Sequence, residues 1–170
     1  ETGLKERGFE FLAEMERLHM IVDVSHLSDR GFWDIAEHST RPFAASHSNC
    51  RALAPHCRNL TDEMIRVMAE KGGLVGLNYC SGFLDDQPRP ELCRSTTALM
   101  ARHAAHFKQV GGIEIIGLGS DFDGIGGKLE MGDCSKLPLL ADALRKEGFT
   151  EDEVEQIFFR NAQRFFEENL

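Results

Sequence analysis

A chain of 170 residues, 42% of them hydrophobic, is long enough to bury one real core and suits a single domain over 1–170. A formal net charge of −9 at pH 7 and a pI near 5.2 argue against nucleic acid and anionic membranes as partners. No apolar run approaches the ~20 residues of a membrane span, so none is expected.

The first predicted element is a helix over 5–19, with Phe11, Leu12, Met15 and Leu18 on one stripe. The residues that lead into it, Glu-Thr-Gly-Leu-Lys-Glu-Arg, lack the apolar stretch of a signal peptide. A strand follows at 20–25. Ser28 then caps a helix over 29–38 that carries Phe32, Trp33 and Ile35. The second strand is 42–46, and a loop runs from it to Asn59. Thr61 caps a third helix, whose Met64, Ile65 and Met68 face inward. Gly72-Gly73 ends that helix and opens the third strand. A loop bearing Pro, Cys and Asp occupies 80–94. Ser95 opens a helix to Val110, the fourth strand is 113–118, and a Gly-rich loop fills 119–136. A helix over 137–147 stops at Gly148. Thr150 and Glu153 form a capping box for a last helical region over 151–168.

This order alternates helix and strand. The strands read as continuous apolar runs, the mark of a parallel sheet covered on both faces. Each strand ends in polar residues: Ser25-His26, Ser46-His47-Ser48, Asn78-Tyr79, and Ser120-Asp121-Phe122-Asp123-Gly124. Right-handed crossovers put all four clusters on one edge, where β/α barrel enzymes keep their active sites. The fold class expected is therefore α/β, with four βα units supplying about half of a (β/α)8 TIM barrel. Half a barrel leaves two parallel edges open, so closure needs a partner polypeptide or a longer chain.

His26 and His47 end neighbouring strands 21 residues apart, and two neutral imidazoles so placed can reach one zinc at about 2.0–2.1 Å. Asp121 adds a carboxylate at the same edge, able to bind metal or move a proton. Asp123, two residues on and beside Gly124, reads as the residue that holds the turn. Arg58 is of the right type to clamp a carboxylate with two parallel bonds, although a lone loop arginine is most often only solvated. His103 and His106 share a helix face without an accompanying zinc-site Glu, and read as helix surface or packing. The cysteines at 50, 57, 80, 93 and 134 form no CxxC. A Cys50–Cys57 pair is open, but the odd, irregular set points to reduced thiols and a cytoplasmic setting.

Four motifs together resemble the membrane (renal) dipeptidases, the M19 zinc peptidases. They are Asp23-Val24-Ser25-His26-Leu27-Ser28, Ala45-Ser46-His47-Ser48-Asn49, Arg58-Asn59-Leu60-Thr61-Asp62 and Gly119-Ser120-Asp121-Phe122-Asp123-Gly124. The ending Asn161-Ala162-Gln163-Arg164-Phe165-Phe166 is similar to the family's Asn-x-x-Arg-Val-Phe finish. The resemblance implies a barrel of the metal-dependent hydrolase type that holds two zinc ions and hydrolyses dipeptides, including those with a C-terminal D-residue. It makes His26 and His47 ligands of one zinc. Asp121 becomes a ligand of the other and the group that passes a proton to the departing amine. Arg58 becomes the clamp on the dipeptide's C-terminal carboxylate. Dimerisation fits the family as well.

The chain also departs from the family pattern. The family's His-x-Asp from the first strand, its bridging Glu and an upstream substrate-contacting His have no counterpart here. The resemblance is therefore to the C-terminal half, and the isolated 170 residues are expected to be inactive until an N-terminal half completes the site. Two other readings stand beside this one: a non-catalytic half-barrel assembly module, and a related hydrolase acting on another amide or ester. No hydrophobic tail of the kind that signals a lipid anchor closes the chain.

Overall fold

Three parallel strands frame the molecule: β1 (Ala44–Ser48), β2 (Leu74–Leu77) and β3 (Ile116–Leu118), side by side in that order. This is seen in a computed structural model, which describes residues 2–170; Glu1 lies outside the described residues. The strands alternate with helices α1 (Glu6–Arg17), α2 (Asp29–His38), α3 (Asp62–Glu70), α4 (Ser81–Leu84) and α5 (Thr97–Gly111). Then come α6 (Leu137–Glu147), α7 (Glu151–Glu155), one wider π turn over Gln156–Arg160, and α8 (Asn161–Asn169).

The helix starts follow the side-chain chemistry. The hydroxyls of Ser28 and Thr61 accept from the N–H groups of Gly31 and Met64, and Thr150 and Glu153 close the reciprocal capping box. Thr96, not Ser95, caps α5 by accepting from Leu99 N–H. Gly148, at φ 100°, ends α6 in the left-handed conformation that glycine adopts without penalty. The 80–94 loop is less irregular than expected, since it contains α4 and a 3₁₀ turn over Pro90–Leu92.

Two expected strands are shorter than the apolar runs that announced them. Of 20–25, only a few residues run beside β1. Asp23 forms a lone parallel bridge to Ala44, with Ala44 N–H donating to Val22 O and Val24 N–H to Ala44 O. Met20 N–H is still bound to Met15 O of α1, and Leu27 N–H turns back onto Val24 O, so the pairing is cut at both ends. In 113–118 the first half is a 3₁₀ turn over Ile113–Ile115, with the carbonyls of Ile113 and Ile116 taken by the Asn161 side-chain amide. The second strand starts at Ala44 rather than Pro42, whose nitrogen has no hydrogen to donate, and it continues to Ser48. The predicted α1 stripe is buried only at Leu12, and Phe11 and Leu18 are exposed.

Both faces of the sheet are covered, as its apolar runs require. Phe43, Ala45, Val75, Leu77 and Ile116 join Ile65 and Met68 of α3, Met100 and Phe107 of α5, and Leu140 and Leu144 of α6 in the main core. Ala44 and Leu74 pack instead with Phe165 of α8, in a second, smaller cluster. The described residues thus form an α/β unit with a three-stranded parallel sheet whose strand C-termini lie along one edge.

Candidate metal and catalytic site

A bulge in β1 aims the first site residue. Ala45 pairs with Val75 and Ser48 with Leu77, so both Ser46 and His47 lie opposite Gly76. The Ser46 carbonyl is driven toward β2 and β3. A Cβ at Gly76 or Gly119 would collide with that carbonyl oxygen, so these positions accept no side chain at this spacing. His47 therefore emerges at the sheet edge, beside His26 from the turn after the Val22–Val24 segment. Their Nε2 atoms stand 2.9 Å apart and their ring centroids 5.0 Å apart.

Asp23 ties these residues together. Its Oδ1 accepts from Ser25 N–H (3.0 Å), Ser25 Oγ–H (2.8 Å) and Ser46 N–H (3.0 Å). Its Oδ2 accepts from Ser46 Oγ–H at 2.5 Å. Burial works to raise the Asp23 pKa, but the bonds from Ser46 and Ser25 together outweigh it and hold the carboxyl below its ordinary range. Ser46 Oγ also lies 2.7 Å from His47 Nδ1, and Ser25 Oγ accepts from His47 N–H. Burial lowers the His47 pKa below its ordinary 6.5, helped by Arg58 and His26 and opposed by Asp121 and Asp23. At neutral pH the ring is uncharged, the form a metal requires.

Asp121 follows β3 in the left-handed region, at φ 61°, a conformation that Asp and Asn tolerate better than most side chains. Asn78, at the end of β2, spans from β1 to this loop. Its Nδ2 is 3.4 Å both from His47 O and from Asp121 Oδ2, while its Oδ1 accepts from Cys80 N–H. That last bond fixes which end of the amide faces Asp121. Asp123 does not hold the turn, contrary to expectation. It is exposed and makes no hydrogen bond among the described residues; Gly124 N–H closes the turn on Asp121 O instead.

Arg58 reaches back over the β1 loop. Its Nε–H donates to Ser25 O at 2.7 Å and its guanidinium lies 5.4 Å above the Phe83 ring. Its Nη2 is buried without a partner among the described residues. Arg51 differs, being held by Asp29 through two parallel bonds.

A family model described as membrane dipeptidase (peptidase family M19) matches residues 1–169. The chain belongs to the membrane dipeptidase family. An uncharacterised Klebsiella pneumoniae protein, named for its place in the pqqA 5′ region, is 38% identical over 162 residues, which cover 95% of this chain and 59% of that protein. An uncharacterised dipeptidase of Schizosaccharomyces pombe is 35% identical over 166 residues, covering 96% and 39%. The crystal structure of a Rhodobacter sphaeroides metallopeptidase, liganded with a phosphinate mimic of L-Ala-D-Ala, superposes with a TM-score of 0.93 at 34% identity. The match covers all of this chain and 48% of that one. The chain thus has the α/β fold of the M19 dipeptidases and spans roughly half the length of these relatives.

In this M19 chain His26 and His47 converge, and Asn78 links the pair to Asp121. Even so, among the described residues no group of three or more His, Cys, Asp or Glu surrounds a point that could hold an ion. Two imidazole nitrogens facing each other fit half of a zinc's usual set of four ligands. His103 and His106 stay outside the site. His103 is buried between Cys50 N–H and Leu84 O, and His106 pairs with Asp62. The open Cys50–Cys57 pairing is not made: Cys50 is a buried free thiol and Cys57 an exposed one. No helix of the described residues is long and apolar enough to cross a membrane.

Ser25, Ser46 and Asn78 were placed on this edge from the sequence but given no role, and Asp23 was not singled out as a site residue. Their signal was present in part, since a serine precedes each of the two histidines and Asp23 lies three residues before His26. Which of these would bond to which depended on the bulge, and periodicity does not announce a bulge.

Proposed function

We propose that this chain supplies the C-terminal half of a (β/α)8 barrel that hydrolyses dipeptides with the help of zinc. The observation that carries the reading is the convergence of the His26 and His47 Nε2 atoms at the strand edge that also bears Asp121 and Arg58. His26 and His47 would hold one zinc. Asp121 and ligands from the remainder of the barrel would hold a second. When bound, the metal supplies Lewis acidity toward the scissile carbonyl.

The chain's own residues account for the rest. The Nη2 of Arg58, which has no partner among the described residues, binds the C-terminal carboxylate of the dipeptide, and the Nε–H bond to Ser25 O holds the guanidinium in place. Asn78 steadies the Asp121 carboxylate. Asp121 carries a proton to the leaving amine nitrogen, so that the amine departs neutral. The phosphinate mimic of L-Ala-D-Ala in the Rhodobacter sphaeroides relative supports substrates with a C-terminal D-residue.

The test is hydrolysis of L-Ala-D-Ala by the zinc-loaded protein that carries both halves. Arg58→Ala should lower kcat/KM by about 30-fold or more for dipeptides with a free carboxylate, and little for their amides. Equal loss on both substrates would point to a hydrolase of other amides. The absence of a three-ligand cluster among the described residues favours, as a second reading, a non-catalytic assembly module. Failure of the two-half protein to bind zinc would select it.

A further inference from the structure

We infer that Asp23 and Ser46 form a relay that locks His47 as its Nδ1–H tautomer, so that its Nε2 lone pair is preset for metal while His26 stays unlocked. The inference rests on the proposal that these histidines hold a metal. The Asp23 carboxylate can only accept. The single hydroxyl hydrogen of Ser46 is spent on Asp23 Oδ2, at 2.5 Å. Ser46 Oγ therefore meets His47 Nδ1, 2.7 Å away, as an acceptor, and the imidazole hydrogen must sit on Nδ1. That leaves the His47 Nε2 lone pair facing His26 Nε2 at 2.9 Å, where only a hydrogen on His26 Nε2 makes the contact favourable. His26 Nδ1 makes no hydrogen bond among the described residues, so its hydrogen can move there once a metal takes the place between the rings. His47 enters the site ready, and His26 adjusts.

The two Asp23 oxygens are not equivalent, which makes the relay reversible by one substitution. Oδ1 accepts from two backbone N–H groups and a hydroxyl, whereas Oδ2 accepts only from Ser46 Oγ–H. In Asp23→Asn the amide oxygen must take the Oδ1 place and the NH2 group the Oδ2 place. The NH2 then donates to Ser46 Oγ, and the Ser46 hydroxyl turns to donate to His47 Nδ1. His47 is driven to its Nε2–H tautomer, which closes its lone pair to metal.

The first readout needs neither metal nor activity. Nitrogen-15 NMR of the His47 ring in the metal-free full-length protein, at a pH where the ring is neutral, should report a hydrogen on Nδ1. In Asp23→Asn the hydrogen should appear on Nε2. Ser46→Thr, which keeps the hydroxyl, should retain the wild-type tautomer, and Ser46→Ala should lose the preference. The second readout is zinc affinity by chelator competition. Asp23→Asn and Ser46→Ala should weaken it by about 10–100-fold, and Ser46→Thr should leave it near wild type. A wild-type His47 with its hydrogen on Nε2, or a tautomer unmoved by Asp23→Asn, overturns the relay even if zinc binds normally. The expected tautomers in a protein that binds no zinc support the relay and overturn the metal reading instead.

Discussion

Cys50 N–H donates to His103 Nδ1, and His103 Nε2–H donates to Leu84 O, so neither nitrogen of this buried ring can take a further proton without losing a bond. Burial pushes the His103 pKa down to about 4 from its ordinary 6.5. Between those two values the unfolded chain binds a proton that the folded chain refuses. Stability from this residue is complete above pH 6.5 and is lost as pH falls to about 4, by roughly 3 kcal/mol. His103→Gln, which does not titrate, should flatten that part of the pH dependence when urea midpoints are compared at pH 7 and pH 4.5. Asparagine tolerates the left-handed backbone at position 121, so Asp121→Asn should leave the thermal midpoint nearly unchanged. It should still lower kcat by about 10²–10⁴-fold if the carboxyl moves a proton. From the sequence, His26, His47 and Asp121 could be expected near one sheet edge, and the structure brings the two histidines together there with Asn78 linking His47 to Asp121. The bonds that Ser46 and Asn78 make at that edge were not legible, because they depend on the bulge and on the approach of the following loop.

Most helix ends follow their capping residues, because those signals are local, whereas the apolar stripe of α1 is buried only at Leu12. Thr61, Thr150 and Gly148 mark helix ends that the structure keeps. The strands were harder to bound, since an apolar run says that a segment is buried and not what it pairs with. Residues 20–25 are such a run, yet they pair only around Asp23, and 113–115 coil into a 3₁₀ turn under the Asn161 amide. The β1 bulge left no mark in the hydrophobic pattern and yet decides where His47 points. Its dependence on glycine can be tested. Gly76→Ala should force the Ser46 carbonyl away, at a cost of about 1–3 kcal/mol, and should weaken zinc binding with it. Gly117→Ala is the control, since the nearest neighbours of its Cβ would be side-chain atoms of Leu74, and zinc affinity should be preserved.

At the scale of the whole molecule the sheet has β3 along one border and the short Val22–Val24 segment along the other. In a closed barrel both would pair onward, and this chain spans 48% of the Rhodobacter sphaeroides chain it superposes on. On the half-barrel reading proposed above, the 170 residues purified alone should show no dipeptide hydrolysis, and co-expression with an N-terminal half of an M19 barrel should restore it. Activity assays paired with intact-mass analysis check this, and hydrolysis by the 170 residues alone would contradict it. The parallel α/β order and the shared edge for the site were legible from the alternation of runs and periods. A full ligand set was not, since among the described residues no group of three or more His, Cys, Asp or Glu could hold an ion. Just beneath His47, Asn78 and Asp121 along their strands, the Ser46 carbonyl is wedged against Gly76 and Gly119. At that level main chain lies directly against main chain, and neither glycine has room for a Cβ. Variation that keeps this strand spacing is therefore closed to side chains at positions 76 and 119 and open in the residues that follow them.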